Sequence, residues 1–247
     1  MRRLDQALVA AGLCSSREQA KRLILAGQVR VNDRPARKPS DPARPGDRLS
    51  VQSPERYVSR GGYKLEHALR HFGLDVTGVT TVDLGASTGG FTDCLLQHGA
   101  ARVYAVDVGR GLLAWRLRQD PRVVPVEGVN ARYLTPAALA AAFEPVPLVV
   151  ADCSFISLQK ILPAAIALLR DGGRIVALIK PQFEAGRREA ARGAGVIRDP
   201  HVHERVLCEL RTFVTSELGL HWRGVVESPL RGPAGNKEFL ALLEKPC

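Results

Sequence analysis

The stretch Thr81–Asp93, reading Thr-Val-Asp-Leu-Gly-Ala-Ser-Thr-Gly-Gly-Phe-Thr-Asp, constrains this chain of 247 residues more than any other. It begins with β-branched residues that suit a strand and ends in residues that suit the first turn of a helix. Gly85, Gly89 and Gly90 lie between them, so the backbone can turn sharply and a ligand can lie against it. Asp83 places a carboxylate just before the turn. A strand, a glycine turn and a helix in this order predict a doubly wound α/β domain, which holds a nucleoside cofactor above the carboxyl ends of its strands. A dinucleotide fingerprint requires G-x-G-x-x-G, and its second glycine position is Ser87 here.

The loop G-x-x-x-G-G after an acid resembles the first motif of S-adenosylmethionine (SAM)-dependent methyltransferases. SAM has no pyrophosphate to place at a helix N-terminus, but its amino acid end is cationic and carboxylates can help to place it. By that resemblance the loop Gly85, Ala86, Ser87, Thr88, Gly89, Gly90 and Phe91, with Asp83, is the candidate cofactor cradle.

Downstream, strands and helices alternate. A strand at 103–106 ends at Asp107, followed by Val108; an acid there commonly binds ribose hydroxyls. A strand at 122–126 ends at Glu127, with Asn130 nearby, where an adenine would be contacted. A strand at 148–151 ends at Asp152, and one at 175–179 ends at Lys180. The intervening 158–169 is expected to be helical, with Pro163 in its first turns and Gly172-Gly173 as its stop. Residues 183–199 lack periodicity and carry four arginines, which predicts a mobile basic loop beside the site. A helix at 201–218 and a terminal hairpin, 221–227 and 238–243, complete the domain, so one edge strand should be antiparallel.

The net charge of +10 is unevenly placed. Residues 1–60 hold 13 Lys and Arg against 6 Asp and Glu, whereas the remaining 187 residues hold 22 against 19. This asymmetry is the footprint of a nucleic-acid-binding module. Arg outnumbers Lys 28 to 7, and Arg suits phosphate through its fork geometry. Five cysteines at 14, 94, 153, 208 and 247 form no C-x-x-C pair, so neither a disulfide framework nor a metal site is indicated. The N-terminus lacks the apolar stretch of a signal peptide and no run of 18 apolar residues occurs, which predicts a reduced, cytoplasmic setting.

In the basic segment, a helix at 3–11 stops at Gly12. A second is capped by Ser16 with Gln19 as its capping-box partner and stops at Gly27. A strand at 28–31, a turn at Asn32-Asp33 and a closing strand at 46–51 follow. The run RLDQALVAAGLCSSREQAKRLILAGQVRVND…KPS…PGDRLSV resembles an S4 RNA-binding domain, a family in which the two-helix face and the following strands lie along structured RNA. The expected RNA contacts are Arg3, Arg17, Lys21, Arg22 and Arg30 here, with Arg60, Arg187 and Arg188 beyond. The expected organisation is an S4 domain at 1–54, a linker at 55–60 and a catalytic domain at 61–247.

Four charged residues stand at points that such a sheet brings together: Lys64 before the first strand, Asp152 and Lys180 at strand ends, and Glu238 at the opening of the last strand. Methyl transfer to a ribose 2′-hydroxyl removes a proton from the attacking oxygen. A lysine accepts it only when neutral; burial and a neighbouring cation favour that state, and a carboxylate opposes it. The spacing SRGGYKLEHAL … DLGASTGGFTD … YAVDVGRG … ADCSFISL … LIKPQFEAGR … GNKEFL resembles the TlyA branch of the FtsJ-like rRNA 2′-O-methyltransferases. That resemblance covers almost the whole chain. It implies a Rossmann-like α/β methyltransferase domain with a seven-stranded, mostly parallel sheet and an antiparallel edge strand, preceded by a small α+β S4 domain. It implies SAM as cofactor, rRNA in ribosomal subunits as partner, and cytidine 2′-hydroxyls as targets, in 23S rRNA and, for some members, in 16S rRNA as well. The family tetrad falls on Lys64, Asp152, Lys180 and Glu238, with Lys180 as general base.

Three other readings compete. Cys153 follows the strand-end acid, where RNA cytosine-5 methyltransferases can carry a nucleophile, but those usually place Pro before the Cys and here it is Asp152. A non-catalytic ribosome-assembly factor is opposed by the intact glycines and tetrad. Haemolysin, the family's other name, implies membrane lysis, yet no spanning or strongly interfacial segment is evident. No stable membrane association, no obligate protein partner and no metal are therefore expected.

Overall fold

The computed structural model describes residues 2–51, 55–186, 189 and 193–247. The chain forms two compact units, Met1–Arg56 and Tyr57–Cys247. Tyr57 is fully covered and packs in the second unit against Tyr63, so the stretch after Arg56 belongs to that unit rather than to a free linker.

In the first unit, helices α1 (Leu4–Ala10) and α2 (Arg17–Leu25) bury Leu4, Leu8, Ala20 and Ile24 in a small core. The Ser16 hydroxyl accepts from Gln19 N at 3.2 Å, as a cap should. The reciprocal half of the box is displaced by one residue, because Gln19 Oε1 accepts from the Ser15 backbone and hydroxyl. Strands β2 (Val29–Val31), β3 (Arg34–Pro35) and β5 (Leu49–Val51) form a three-stranded antiparallel sheet. The β2–β3 turn places Asn32 and Asp33 at positive φ, the conformation of a tight hairpin turn that Asn and Asp tolerate. A further pairing, β1 (Arg2–Arg3) with β4 (Pro42–Ala43), is not expected from the sequence pattern.

The second unit is a seven-stranded sheet. Its strands in chain order are β6 (Thr80–Leu84), β7 (Arg102–Asp107), β8 (Val123–Glu127), β9 (Val146–Ala151), β10 (Leu169–Ile179), β11 (His221–Glu227) and β12 (Phe239–Glu244). Across the sheet the order is β11-β12-β10-β9-β6-β7-β8. The five strands from β10 to β8 are parallel, and β12 runs antiparallel to both β10 and the edge strand β11. Alternate residues face opposite layers: Val149 and Ala151 enter one core, Leu148 and Val150 the other. Helices α3 (Gly61–His71) and α4 (Gly90–Gln97) cover one face, and α7 (Leu162–Ala167) and α9 (Pro200–Thr212) the other. Short helices α5 (Trp115–Arg118), α6 (Pro136–Leu139) and α8 (Pro181–Glu184) fill connections. Each fully covered Leu or Ile in these layers contributes about 1.5–3 kcal/mol.

The segment expected to be one helix over 158–169 differs. It is a 3₁₀ turn, Leu158–Lys160, followed by α7, which starts around Pro163 and ends at Ala167. The Gly172-Gly173 pair lies within β10, where the register against β9 shifts between Leu169 and Arg174. The positive φ of Gly172 thus serves a strand irregularity rather than a helix stop. Of the expected basic loop, residues 187, 188 and 190–192 lie outside the described residues.

Candidate functional site

The strand order reverses at β6, which has β9 on one side and β7 on the other. A doubly wound sheet opens a crevice beyond its carboxyl ends at that point. Two cavities of about 450 and 500 Å³ lie there and share Gly85, Ser87, Asp152 and Ser154.

Gly85 is required by its geometry. Its φ is +83°, and a Cβ would meet the Asp152 carbonyl oxygen at 2.7 Å, so the glycine loop lies directly on the end of β9. Ser87 also takes a positive φ, of 50°. Its backbone N–H donates to Asp107 Oδ2 at 2.8 Å, while Gly109 N donates to Oδ1 at 2.7 Å. Two backbone donors therefore fix the Asp107 carboxylate at the wall of the larger cavity and leave acceptor capacity facing it. Asn130 lines the same cavity and caps a 3₁₀ turn by accepting from Arg132 N at 3.0 Å, which leaves its amide N–H groups to face a ligand. Val108, Leu112 and Ile161 give this cavity apolar walls. Flat apolar walls, a fixed carboxylate and a free amide fit an adenosine.

Two expected cofactor contacts are placed differently. Glu127 pairs with Arg118 and accepts from Gly111 N at 3.0 Å, and it lines neither cavity. Asp83 lies beneath the loop at 1% exposure, where its Oδ2 accepts from the Thr92 hydroxyl at 2.7 Å. Its Oδ1 is buried without a hydrogen-bond partner. Burial, opposed by the Thr92 bond and reinforced by Asp152, pushes its pKa up to about 7. An under-satisfied carboxyl group below the loop suits a cationic ligand above it.

The smaller cavity holds the four charged residues. Lys64, on the first turn of α3, donates to Glu238 just before β12; the two side chains are 9% and 1% exposed. Lys180, after β10, forms an ion pair with Asp152 at 2.6 Å and donates to Ser154 Oγ at 2.7 Å. Four separate elements thus bring two ion pairs to one cavity, beside Gly85, Ala86, Ser87, Thr88, Gly90 and Phe91. Sequence reasoning missed Ser154 and Ser59, both of which line the cavity. The Ser59 position is set by Asp93, a buried acid that accepts from Val58 N at 2.8 Å and pairs with Arg116. The spacing of a serine carries no periodic signal, so only the contacts reveal it.

Cys153 is not poised as a nucleophile. Burial first, then the Asp152 charge, push its thiol up to about 12. It donates to the Leu84 carbonyl at 3.5 Å and packs against the sheet core.

In the first unit, Arg3 and Arg17 both bind Asp5 at 3.2 Å and keep half-exposed guanidinium groups. Lys21 pairs with Glu18 at 3.6 Å, and Arg30 donates to the Asp33 carbonyl at 2.9 Å. Arg22 and Arg60 are exposed or nearly so on their own units. Arg187 and Arg188 lie outside the described residues.

Comparison with known proteins agrees with this geometry. The FtsJ-like methyltransferase model matches residues 57–245 and the S4 domain model residues 2–49. The 16S/23S rRNA (cytidine-2′-O)-methyltransferase TlyA of Mycobacterium tuberculosis is 49% identical over 98% of this chain and 89% of its own length. Hemolysin A of Brachyspira hyodysenteriae is 41% identical over 97% of this chain and 98% of its own. The solved structure of a candidate hemolysin from Streptococcus thermophilus superposes with a TM-score of 0.75 at 46% identity, covering 99% of this chain and 88% of that one. With a switch-point crevice, a glycine loop and an S4 unit all in place, the chain belongs to the TlyA family of FtsJ-like methyltransferases.

Proposed function

We propose that the chain transfers a methyl group from SAM to the 2′-hydroxyl of a cytidine in rRNA, in the large ribosomal subunit and also in the small one. The observation that carries this reading is the convergence of Lys64, Asp152, Lys180 and Glu238 on one cavity against the glycine loop. The cytidine-2′-O-methyltransferase named in M. tuberculosis, 49% identical to this chain, supports the substrate.

Bound SAM supplies an electrophilic methyl group. Asp107 and Asn130 would hold its adenosine end, and Asp83, below the loop, would favour its cationic amino acid end. Lys180 Nζ would take the proton that the 2′-hydroxyl gives up as its oxygen attacks that methyl group. Asp152 and Ser154 aim Lys180 Nζ and stabilise the ammonium that results. Lys64 and Glu238 cancel each other's charge across the cavity and orient the ribose. Of the competing readings, cytosine-5 methylation is opposed by the raised Cys153 thiol. Lysis by a spanning helix is opposed because, among the described residues, no helix is long and apolar enough to cross a membrane.

The test is methyl transfer from radiolabelled SAM to isolated large and small subunits, with nucleoside analysis of the label and Lys180→Ala in parallel. Label on cytidine ribose in the wild type is expected. The variant should lose about 10²–10⁴-fold in rate or more, and keep SAM affinity within about twofold. Label on a base, or loss of SAM affinity in the variant, overturns the assignment of Lys180.

A further inference from the structure

We infer that Arg60 and Arg231 form a phosphate grip at the mouth of the catalytic cavity, holding the phosphodiester attached to the target ribose. This rests on the methyl-transfer reading above and adds a binding site to it.

The argument starts from charge. The smaller cavity is lined by Lys64, Lys180, Arg60 and Arg231 as cations, and by Asp152 and Glu238 as anions. Both lysines are taken: Lys64 by Glu238 and Lys180 by Asp152. Among the described residues neither Arg60 nor Arg231 forms an ion pair, although Arg116, Arg118 and Arg122 of the same unit each bind a carboxylate. The cavity therefore presents two uncompensated positive charges at its rim.

The two guanidinium groups are nonetheless held in place. Arg60 Nη2 donates to the Arg231 carbonyl at 2.8 Å, and Arg231 Nη1 donates to the Gly235 carbonyl at 3.3 Å. Each uses one N–H on backbone and keeps the rest of its fork for a ligand. Arg60 ends the segment that enters α3, the helix of Lys64, and Arg231 stands in the turn that leads to Glu238. That turn is packed onto the catalytic acid: a Cβ on Gly232 would meet Glu238 Oε1 at 2.6 Å. The Asn236 side chain secures the turn further by accepting from Ile197 N and donating to the Gly195 carbonyl, both at 2.8 Å.

The chemistry of the acceptor supplies the ligand. In RNA a ribose 2′-oxygen is separated from the neighbouring phosphodiester only by C2′, C3′ and O3′. A 2′-hydroxyl presented to Lys180 brings an anion into or beside the cavity, and that anion needs a cation the tetrad does not provide. Arg60 and Arg231 are the cations left for it. The planar fork matches a phosphate better than an ammonium does.

The test compares wild type, Arg231→Ala, Arg231→Gln, Arg231→Lys and Arg60→Ala as full chains. Binding to isolated ribosomal subunits is measured across a salt series, with methyl-transfer kinetics and SAM affinity alongside. Arg231→Ala and Arg231→Gln are expected to weaken subunit binding about tenfold and to flatten the slope of log K against log salt by about 0.7. KM for the subunit should rise by a similar factor, with kcat and SAM affinity within about twofold. Arg231→Lys should recover most of the slope, because the charge is kept. Loss in the Ala variant without loss in the Gln variant overturns the grip, since the stem rather than the charge would then matter. An unchanged slope and KM with normal ribose labelling overturns the grip and leaves the methyl-transfer reading standing. Absence of ribose labelling by the wild type overturns that reading, while the salt series still decides for or against the grip.

Discussion

Asp5 of the S4 unit and Asp83 of the methyltransferase unit are both withdrawn from solvent, at 0% and 1% exposure, yet they titrate in opposite directions. Asp5 is covered by its own partners: hydrogen bonds from Arg3, and then Arg17, hold its carboxyl below the usual range against the cost of burial. Asp83 lies under the glycine loop with Thr92 as its hydrogen-bond donor and, among the described residues, no paired cation, and burial raises it to about 7. Burial raises both carboxyl groups; it wins at Asp83, whereas the two arginines outweigh it at Asp5. In the S4 unit the acid is spent on fixing two arginines whose outer N–H groups face solvent. In the methyltransferase unit, among the described residues, no cation pairs with the acid, and on the function proposed above the bound cofactor would supply one.

The largest effect that sharpens this contrast is expected from Asp83→Asn. Between the ordinary carboxyl value of 3.8 and about 7, the native chain binds more proton at Asp83 than the unfolded chain, so stability falls as pH rises through that window. The Asn variant should lose this decline and gain on the order of 2–4 kcal/mol at pH 8 in urea unfolding of the ligand-free chain. Its SAM affinity should fall about tenfold or more by calorimetry, because the neutral amide does not favour a cation. A variant that binds SAM as wild type does would remove this role for Asp83. Asp5→Asn is expected to act on the other unit alone. The Asp5 contribution is present above 3.8 and lost as pH falls below it, so the variant should flatten the acid limb of S4 unfolding. It should weaken subunit binding about threefold and leave SAM affinity unchanged; an equal loss of both would break the division between the units. The smallest effect belongs to Cys153→Ala. A thiol raised to about 12 carries almost no thiolate at pH 8, so transfer should stay within about twofold of wild type.

What could be read from the sequence was whatever depends on residue type at a fixed separation. The β6 strand and its glycine turn declare themselves because φ near +83° at Gly85 excludes a side chain. The convergence of Lys64, Asp152, Lys180 and Glu238 on one cavity is legible because each stands beside a strand end or a helix start that periodicity locates. The β1–β4 pairing was not legible, since Arg2–Arg3 and Pro42–Ala43 are two residues each, polar or proline-bearing, with no alternation to detect. Gly172-Gly173 misled in a definite way: a glycine at positive φ ends a helix as readily as it bends a strand, and only pairing with β9 and β12 decides between them. Ser59, Ser154 and Arg231 lay beyond reach for a different reason. Their roles come from neighbours far along the chain, such as Arg60 and Arg231, which meet across 171 residues.

The longest of these meetings is the bond between Lys64 and Glu238, 174 residues apart. Closing so large a loop gains little until β12 has entered the sheet between β10 and β11. The S4 unit needs no such closure, because its core is assembled within its first 51 residues. On refolding, RNA affinity should therefore return before methyl transfer, and the appearance of catalysis marks the moment at which the last strand has locked into the sheet.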